Sequence, residues 1–126
     1  MVLVDTGVLI WYLRGNERAY KVIENLDSFS ISVITYMELV QGMRNKKELN
    51  SLRQALHAWG CRILYITEEI SAKAMFSVEQ HFLSHAMQLA DALIASTAIA
   101  HGVPLLTGND KHYKIMKGLL VKRFRH

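Results

Sequence analysis

The sequence predicts an α/β fold, a mostly parallel sheet with helices layered on both faces. Short apolar runs alternate with helix-periodic segments at the spacing of βα units. The runs are of strand length and give way to Asp, Thr, Gly and Asn, which favour turns and helix starts. The chain has 126 residues, 51% hydrophobic and 21% charged, which suits one hydrophobic core, so residues 1–126 are read as a single domain.

The elements follow in order. Met1 to Val4 is a short apolar run ending at Asp5 and the Thr6–Gly7 turn, as a buried strand does. Val8 to Leu13 can form a short helix. Asn16 caps the next, with Tyr20, Ile23 and Leu26 expected on its inner face. Phe29 to Val33 alternates apolar and small polar residues and reads as a second strand. Thr35 and Glu38 fit the S/T-x-x-E capping box, which predicts a helix start there, with Tyr36, Leu39, Val40 and Met43 on one face. Lys46 to Trp59 is amphipathic through Leu49, Leu52, Leu56 and Trp59, and Gly60 stops it. Arg62 to Ile66 is strand-like, and Thr67-Glu68-Glu69 opens a helix to about Leu83. The helix from about Leu89 to Ala100 is apolar nearly all round and is expected at the centre. Gly102 ends it. Val103 to Leu106 is a short strand, Thr107 to Asp110 a loop, and Leu119 to Lys122 a last strand.

No apolar run approaches the ~20 residues of a membrane span. Asp5 interrupts the opening apolar stretch and no basic segment precedes it, so no signal peptide is expected. A single cysteine, Cys61, excludes an internal disulfide and a cysteine-rich metal site, and the chain reads as intracellular and cytoplasmic. The formal net charge is +4 and the pI near 9.3, but the distribution is uneven. Residues 1–110 hold nine basic and all eleven acidic residues, whereas residues 111–126 hold six basic residues and no acid. Such a concentrated positive end suits a polyanion such as nucleic acid, or is a solvated basic segment.

The acids sort by local pattern. Glu17, Glu24, Asp27, Glu48, Glu68, Glu69 and Glu79 lie among polar residues or at helix starts and are expected at the surface. Asp5, Glu38, Asp91 and Asp110 differ. Asp5 follows an apolar strand, Glu38 sits inside TYMELV, Asp91 inside LADALIA, and Asp110 in a tight loop after VPLL. A carboxylate in an apolar setting loses hydration and needs donors or a cation to stay ionised. Glu38 could serve only its capping box and Asp91 only its helix start. Four such acids, at least two of them at strand ends, point instead to a divalent cation. Oxygen ligands without cysteine favour Mg²⁺ or Mn²⁺, which suit phosphoryl chemistry, so a metal-dependent nuclease is one reading.

Four segments carry a resemblance: VLVDTGVLI, SVITYMELVQG, LADALIASTAIAHG and VPLLTGNDKHY, with separations of 33, 53 and 19 residues between successive acids. The sequence resembles the PIN-domain ribonucleases, and among them the VapC-type toxins of toxin–antitoxin pairs. The resemblance implies a three-layer α/β/α PIN-like fold and endoribonuclease activity on RNA. It matches Asp5, Glu38 and Asp91 to the family's acids and offers Asp110 as the fourth, in a loop where relatives often carry an acid at the position of His112. Thr6, Thr107 and Asn109 match polar residues that orient ligands or water. The implied cofactor is Mg²⁺ or Mn²⁺, and the implied partners are RNA, a VapB-like antitoxin and a second copy of the chain.

Arg14, Lys111, His112, Lys114 and Lys117 are candidate RNA contacts, or simply solvated residues. Trp11 and Tyr12 either stack on a base or pack against the core or a partner. A haloacid-dehalogenase-like phosphatase would need a second Asp at position 7, which is Gly, and a receiver domain would need more acids near the start. A catalytically silent PIN-like module for RNA binding or assembly is the alternative within the resemblance.

Overall fold

A computed structural model describes residues 1–83 and 87–126. Five short strands form one parallel sheet: β1 (Leu3–Val4), β2 (Ser30–Ser32), β3 (Arg62–Leu64), β4 (Leu105–Thr107) and β5 (Val121–Arg123), in the order β3-β2-β1-β4-β5. Leu3 pairs with both Ser30 and Leu105, placing β1 at the centre. Among the described residues seven helices surround the sheet: α1 (Thr6–Leu13), α2 (Glu17–Glu24), α3 (Val33–Gln41), α4 (Lys46–Ala58), α5 (Glu68–His81), α6 (Leu89–His101) and α7 (Asp110–Tyr113).

Alternation along the strands divides the core into two halves. Val4, Ile31 and Leu106 face Val8 and Leu9 of α1, Ile23 of α2, Leu39 of α3, and Leu52 and Leu56 of α4. Leu3, Leu64 and Leu105 face the other way, onto Ile94, Ala95 and Ala98 of α6 and the buried Tyr113. Helix α5 covers α6. This is the expected three-layer α/β/α arrangement, and α6 is its central helix. Gly102 ends α6 with φ +64°, where a side chain would be strained.

Several expected boundaries shift. Strand β2 ends at Ser32, whose side chain accepts the Ile34 N–H and caps α3. Thr35 is therefore inside the helix, and the Thr35–Glu38 capping box does not form. Asn16 caps α2 as expected, through the Ala19 N–H, but Ala19 and Ile23 are the buried residues of that helix. Tyr20 is 55% exposed and stacks on Tyr12 at 5.8 Å between ring centroids. The loop after β4 contains the one-turn helix α7.

Candidate active site

In a parallel sheet, side chains converge beyond the carboxyl ends of the strands, at the point where strand order reverses. Here that point lies between β1 and β4, since β2 and β3 extend to one side of β1 and β4 and β5 to the other. Asp5 stands immediately after β1 and caps α1, and Thr107 is the last residue of β4.

Asp5 is only 9% exposed. Its Oδ1 accepts the Thr6 N–H at 2.9 Å, and its Oδ2 accepts the Thr107 hydroxyl at 2.7 Å. Burial pushes its carboxyl above the ordinary range. The bonds from Thr107 and Thr6 oppose that shift, and the negative charges of Asp91 and Glu38 add to it.

Glu38 reaches the same edge from α3. The Thr6 hydroxyl donates to its Oε1 at 2.7 Å and lies 2.9 Å from the fully buried Thr35 hydroxyl. Thr6 has one hydroxyl proton, so donation to Glu38 leaves it the acceptor toward Thr35, giving a relay Thr35–Thr6–Glu38. Glu38 itself is exposed, contrary to the apolar setting its neighbours in sequence suggest. Helix α3 turns Leu39 into the core and leaves Glu38 at the mouth of a groove.

Asp91 lies in the first turn of α6. Its Oδ2 is 3.1 Å from His112 Nε2, and its Oδ1 accepts the Tyr113 hydroxyl at 3.1 Å. Burial, then the charges of Asp5 and Asp91, push the Tyr113 phenol well above its ordinary pKa, so it stays protonated as a donor. His112, expected to meet RNA, thus turns its ring toward an acid.

Asp110 is placed differently. It opens α7 with its Oδ1 2.8 Å from Arg125 Nη1, and the Arg125 guanidinium holds its carboxyl below the usual range. Asp110, expected as the fourth ligand, thus has Arg125 as its partner, while Asp91 and Glu38 are the acids whose charge bears on Asp5. Asn109 contributes its backbone N–H, which donates to Thr107 Oγ1 at 3.0 Å.

Arg14, Lys111, Lys114 and Lys117 are exposed. Arg14 lies over the Trp11 ring at 5.6 Å, and Trp11 also stacks on His126 at 3.8 Å. Tyr12 donates to Glu24 and meets Trp59 edge-on. Cys61 is remote from these acids, and burial pushes its thiol up to about 12, which leaves it inert as a nucleophile.

Thr35, Tyr113 and Arg125 support the acids without standing out in the sequence as site residues. Thr35 was absorbed by the capping-box pattern. Tyr113 carried a usable signal, a large aromatic next to His112 in a polar loop. Arg125 carried none, because its contact with Asp110 arises from the pairing of β5 with β4.

The donor set suits a hard divalent cation. Three carboxylates come from three elements, and Asp91 and Glu38 both press negative charge on Asp5. Among the described residues no three His, Cys, Asp or Glu side chains stand in an arrangement that holds a metal ion as placed, so a cation would have to draw Asp5, Glu38 and Asp91 together.

Fold and site define a class, small doubly covered parallel-sheet proteins with an acid cluster at the switch point. The chain belongs to the PIN domain family, whose sequence model matches residues 2–118. It is 33% identical over 121 residues to ribonuclease VapC1 of Methanocaldococcus jannaschii, covering 92% of this chain and 81% of that one. It is 34% identical over 123 residues to ribonuclease VapC10 of Mycobacterium tuberculosis, covering 94% and 90%. A toxin–antitoxin complex from Klebsiella pneumoniae contains a chain that superposes with a TM-score of 0.76 at 26% identity, covering 98% of this chain and all of that one.

Proposed function

We propose that this chain is a metal-dependent endoribonuclease and the toxin of a VapBC-type toxin–antitoxin pair. The observation that carries the reading is the gathering of Asp5, Glu38 and Asp91 at the sheet's switch point, where the negative charges of Glu38 and Asp91 both bear on the buried Asp5. The relatives' names, ribonuclease and toxin–antitoxin complex, support the substrate and the biological setting.

Asp5, Glu38 and Asp91 would hold Mg²⁺ or Mn²⁺, which when bound supplies a more acidic water and neutralises phosphate charge. The protein's own part is orientation. Thr6 N–H and Thr107 hydroxyl fix the two oxygens of Asp5, leaving each a lone pair toward the edge. Thr6 holds one oxygen of Glu38, and its Oε2 takes no hydrogen bond among the described residues. His112 and Tyr113 set the plane of Asp91. Lys111 and Lys114, exposed beside this edge on and after α7, are suited to the RNA backbone.

The antitoxin would lie in a groove of about 860 Å³ between α1, α3 and α4. Its floor is Ile10, Leu13, Leu39, Met43 and Leu52, its rim carries Arg14, Arg44 and Lys47, and Glu38 stands at its mouth. Apolar residues exposed on α5 and beyond, Met75, Phe76, Phe82 and Leu83, offer a surface for a second copy. Among the described residues no helix is long and apolar enough to cross a membrane, and we place the protein in the cytoplasm.

The test is cleavage of single-stranded RNA by the purified chain, freed of any antitoxin, with Mg²⁺ or Mn²⁺ and with chelator. Metal-dependent cleavage lost in Asp5→Asn is expected. Cleavage that survives chelation, or RNA bound with steep salt dependence but never cut, rejects the proposed activity.

A further inference from the structure

Residues 107–113 support two of the three carboxylates. Thr107 donates to Asp5, the Asn109 N–H donates to Thr107, and His112 and Tyr113 both reach Asp91. Yet Gly108, Asn109 and Lys111 are exposed and lend this stretch no packing of their own.

A segment after β5 holds it. Phe124 is 4% exposed, sunk in the core, and its N–H donates to the Thr107 carbonyl at 2.8 Å. The two chains run so close that a Cβ on Gly108 would lie 3.5 Å from the Phe124 carbonyl oxygen. The next residue, Arg125, lies with Nη1 2.8 Å from Asp110 Oδ1 and donates to the carbonyls of Gly108 at 3.3 Å and Phe124 at 3.1 Å. Its guanidinium therefore ties the loop down on both sides of Asn109. His126, stacked on Trp11, ties the same segment to the helix that Asp5 caps.

We propose, resting on the metal-site reading above, that Arg125 is a positioning residue of the site. It clamps the β4–α7 loop through Asp110 and Gly108, so that Thr107 stays on Asp5 and α7 stays on Asp91. Asp110 then serves the site as the anchor of this clamp and not as a ligand. All three contacts converge on Nη1, and a guanidinium suits the task because its charge is permanent and its planar group is stiffer than an ammonium on a flexible stem.

The test uses the full chain with Arg125→Ala, Arg125→Lys, Asp110→Asn, the Arg125→Ala/Asp110→Asn pair, and the exchange Asp110→Arg with Arg125→Asp. Each is measured for RNA cleavage and, by calorimetry, for Mn²⁺ binding. Arg125→Ala and Asp110→Asn should each lower kcat about tenfold, the size typical of groups that orient ligands, with KM unchanged. The paired variant should be no worse than either single one. Arg125→Lys should keep more activity than Arg125→Ala, and the exchange should recover part of the loss. One Mn²⁺ should still bind to Asp110→Asn and to Arg125→Ala alike, and none to Asp5→Asn.

Loss of Mn²⁺ binding in Asp110→Asn with binding intact in Arg125→Ala would make Asp110 a ligand and overturn the proposal. Additive losses in the paired variant would also overturn it. Wild-type protein that neither binds Mn²⁺ nor cuts RNA removes the reading beneath it. Active wild type with both single variants unimpaired removes the clamp alone.

Discussion

Replacing Thr107 with Val keeps the side chain's shape and deletes its hydroxyl. Thr107 is fully buried; its Oγ1 donates to Asp5 Oδ2 at 2.7 Å and accepts the Asn109 N–H at 3.0 Å. Asn109 is exposed, so water can take its amide. Asp5 has little access to water, and the loss is that of a hydrogen bond to a charged group, about 1.5–3 kcal/mol. At about 2.1 cal/mol/K of unfolding entropy per residue, 126 residues give roughly 0.26 kcal/mol/K, so about 2 kcal/mol lowers Tm by about 8 °C. The sign with pH follows from Asp5. Its folded carboxyl titrates above the unfolded value, so its contribution is present at low pH and is lost as pH rises through the folded pKa. The Thr107 bond opposes that loss. The Tm deficit of Thr107→Val should therefore be larger near pH 8, where more of the carboxyl is ionised, than near pH 4. Thr97→Val is the control: an equally buried hydroxyl, donated to the Leu93 carbonyl at 2.7 Å with no charge involved. Scanning calorimetry of the metal-free proteins reads both. A Thr107→Val deficit equal to that of Thr97→Val, or one that does not change with pH, refutes the reasoning.

Asp5→Asn should abolish RNA cleavage and yet raise the Tm of metal-free protein above the Asp5 pKa, because an amide escapes the cost of burying a charge and the repulsion of Asp91 and Glu38; saturating Mn²⁺ should narrow or reverse that difference by stabilising only wild type. Ser32→Ala should cost about 1 kcal/mol, or roughly 4 °C in Tm, because Ser32 is the cap of α3, the helix that carries Glu38. Tyr113→Phe removes the hydroxyl on Asp91 and should lower kcat about tenfold in single-turnover cleavage, with little change in RNA affinity.

Most of the fold was legible because local rules and tertiary packing agree. Asn16 caps α2, Gly102 ends α6, and the apolar LIASTAIA stretch lies at the centre. Where the rules compete, tertiary structure decides. Ser32 and Thr35 are both sound caps, but β2 ends at Ser32 against β3, so the helix starts at Val33, ahead of Thr35, which is left free to meet Thr6. Tyr20 looked like an inner residue at a spacing of three from Ile23, while Ala19, with little hydrophobic weight in a pattern, is the one that packs. At the site, Asp5 was readable from strand-then-acid alone. Asp110 satisfied the same pattern, but its partner is Arg125, fifteen residues away and brought near by the β4–β5 pairing, which no local pattern encodes. His112 was undecided between solvent and ligand until α7 turned it onto Asp91.

The most direct measurement is anomalous diffraction from crystals of the protein soaked in Mn²⁺. A single strong peak bonded to carboxylate oxygens of Asp5, Glu38 and Asp91, absent in Asp5→Asn crystals, is the predicted result. A peak elsewhere, or no peak in protein that cleaves RNA, contradicts the assignment of these three acids as the catalytic metal site.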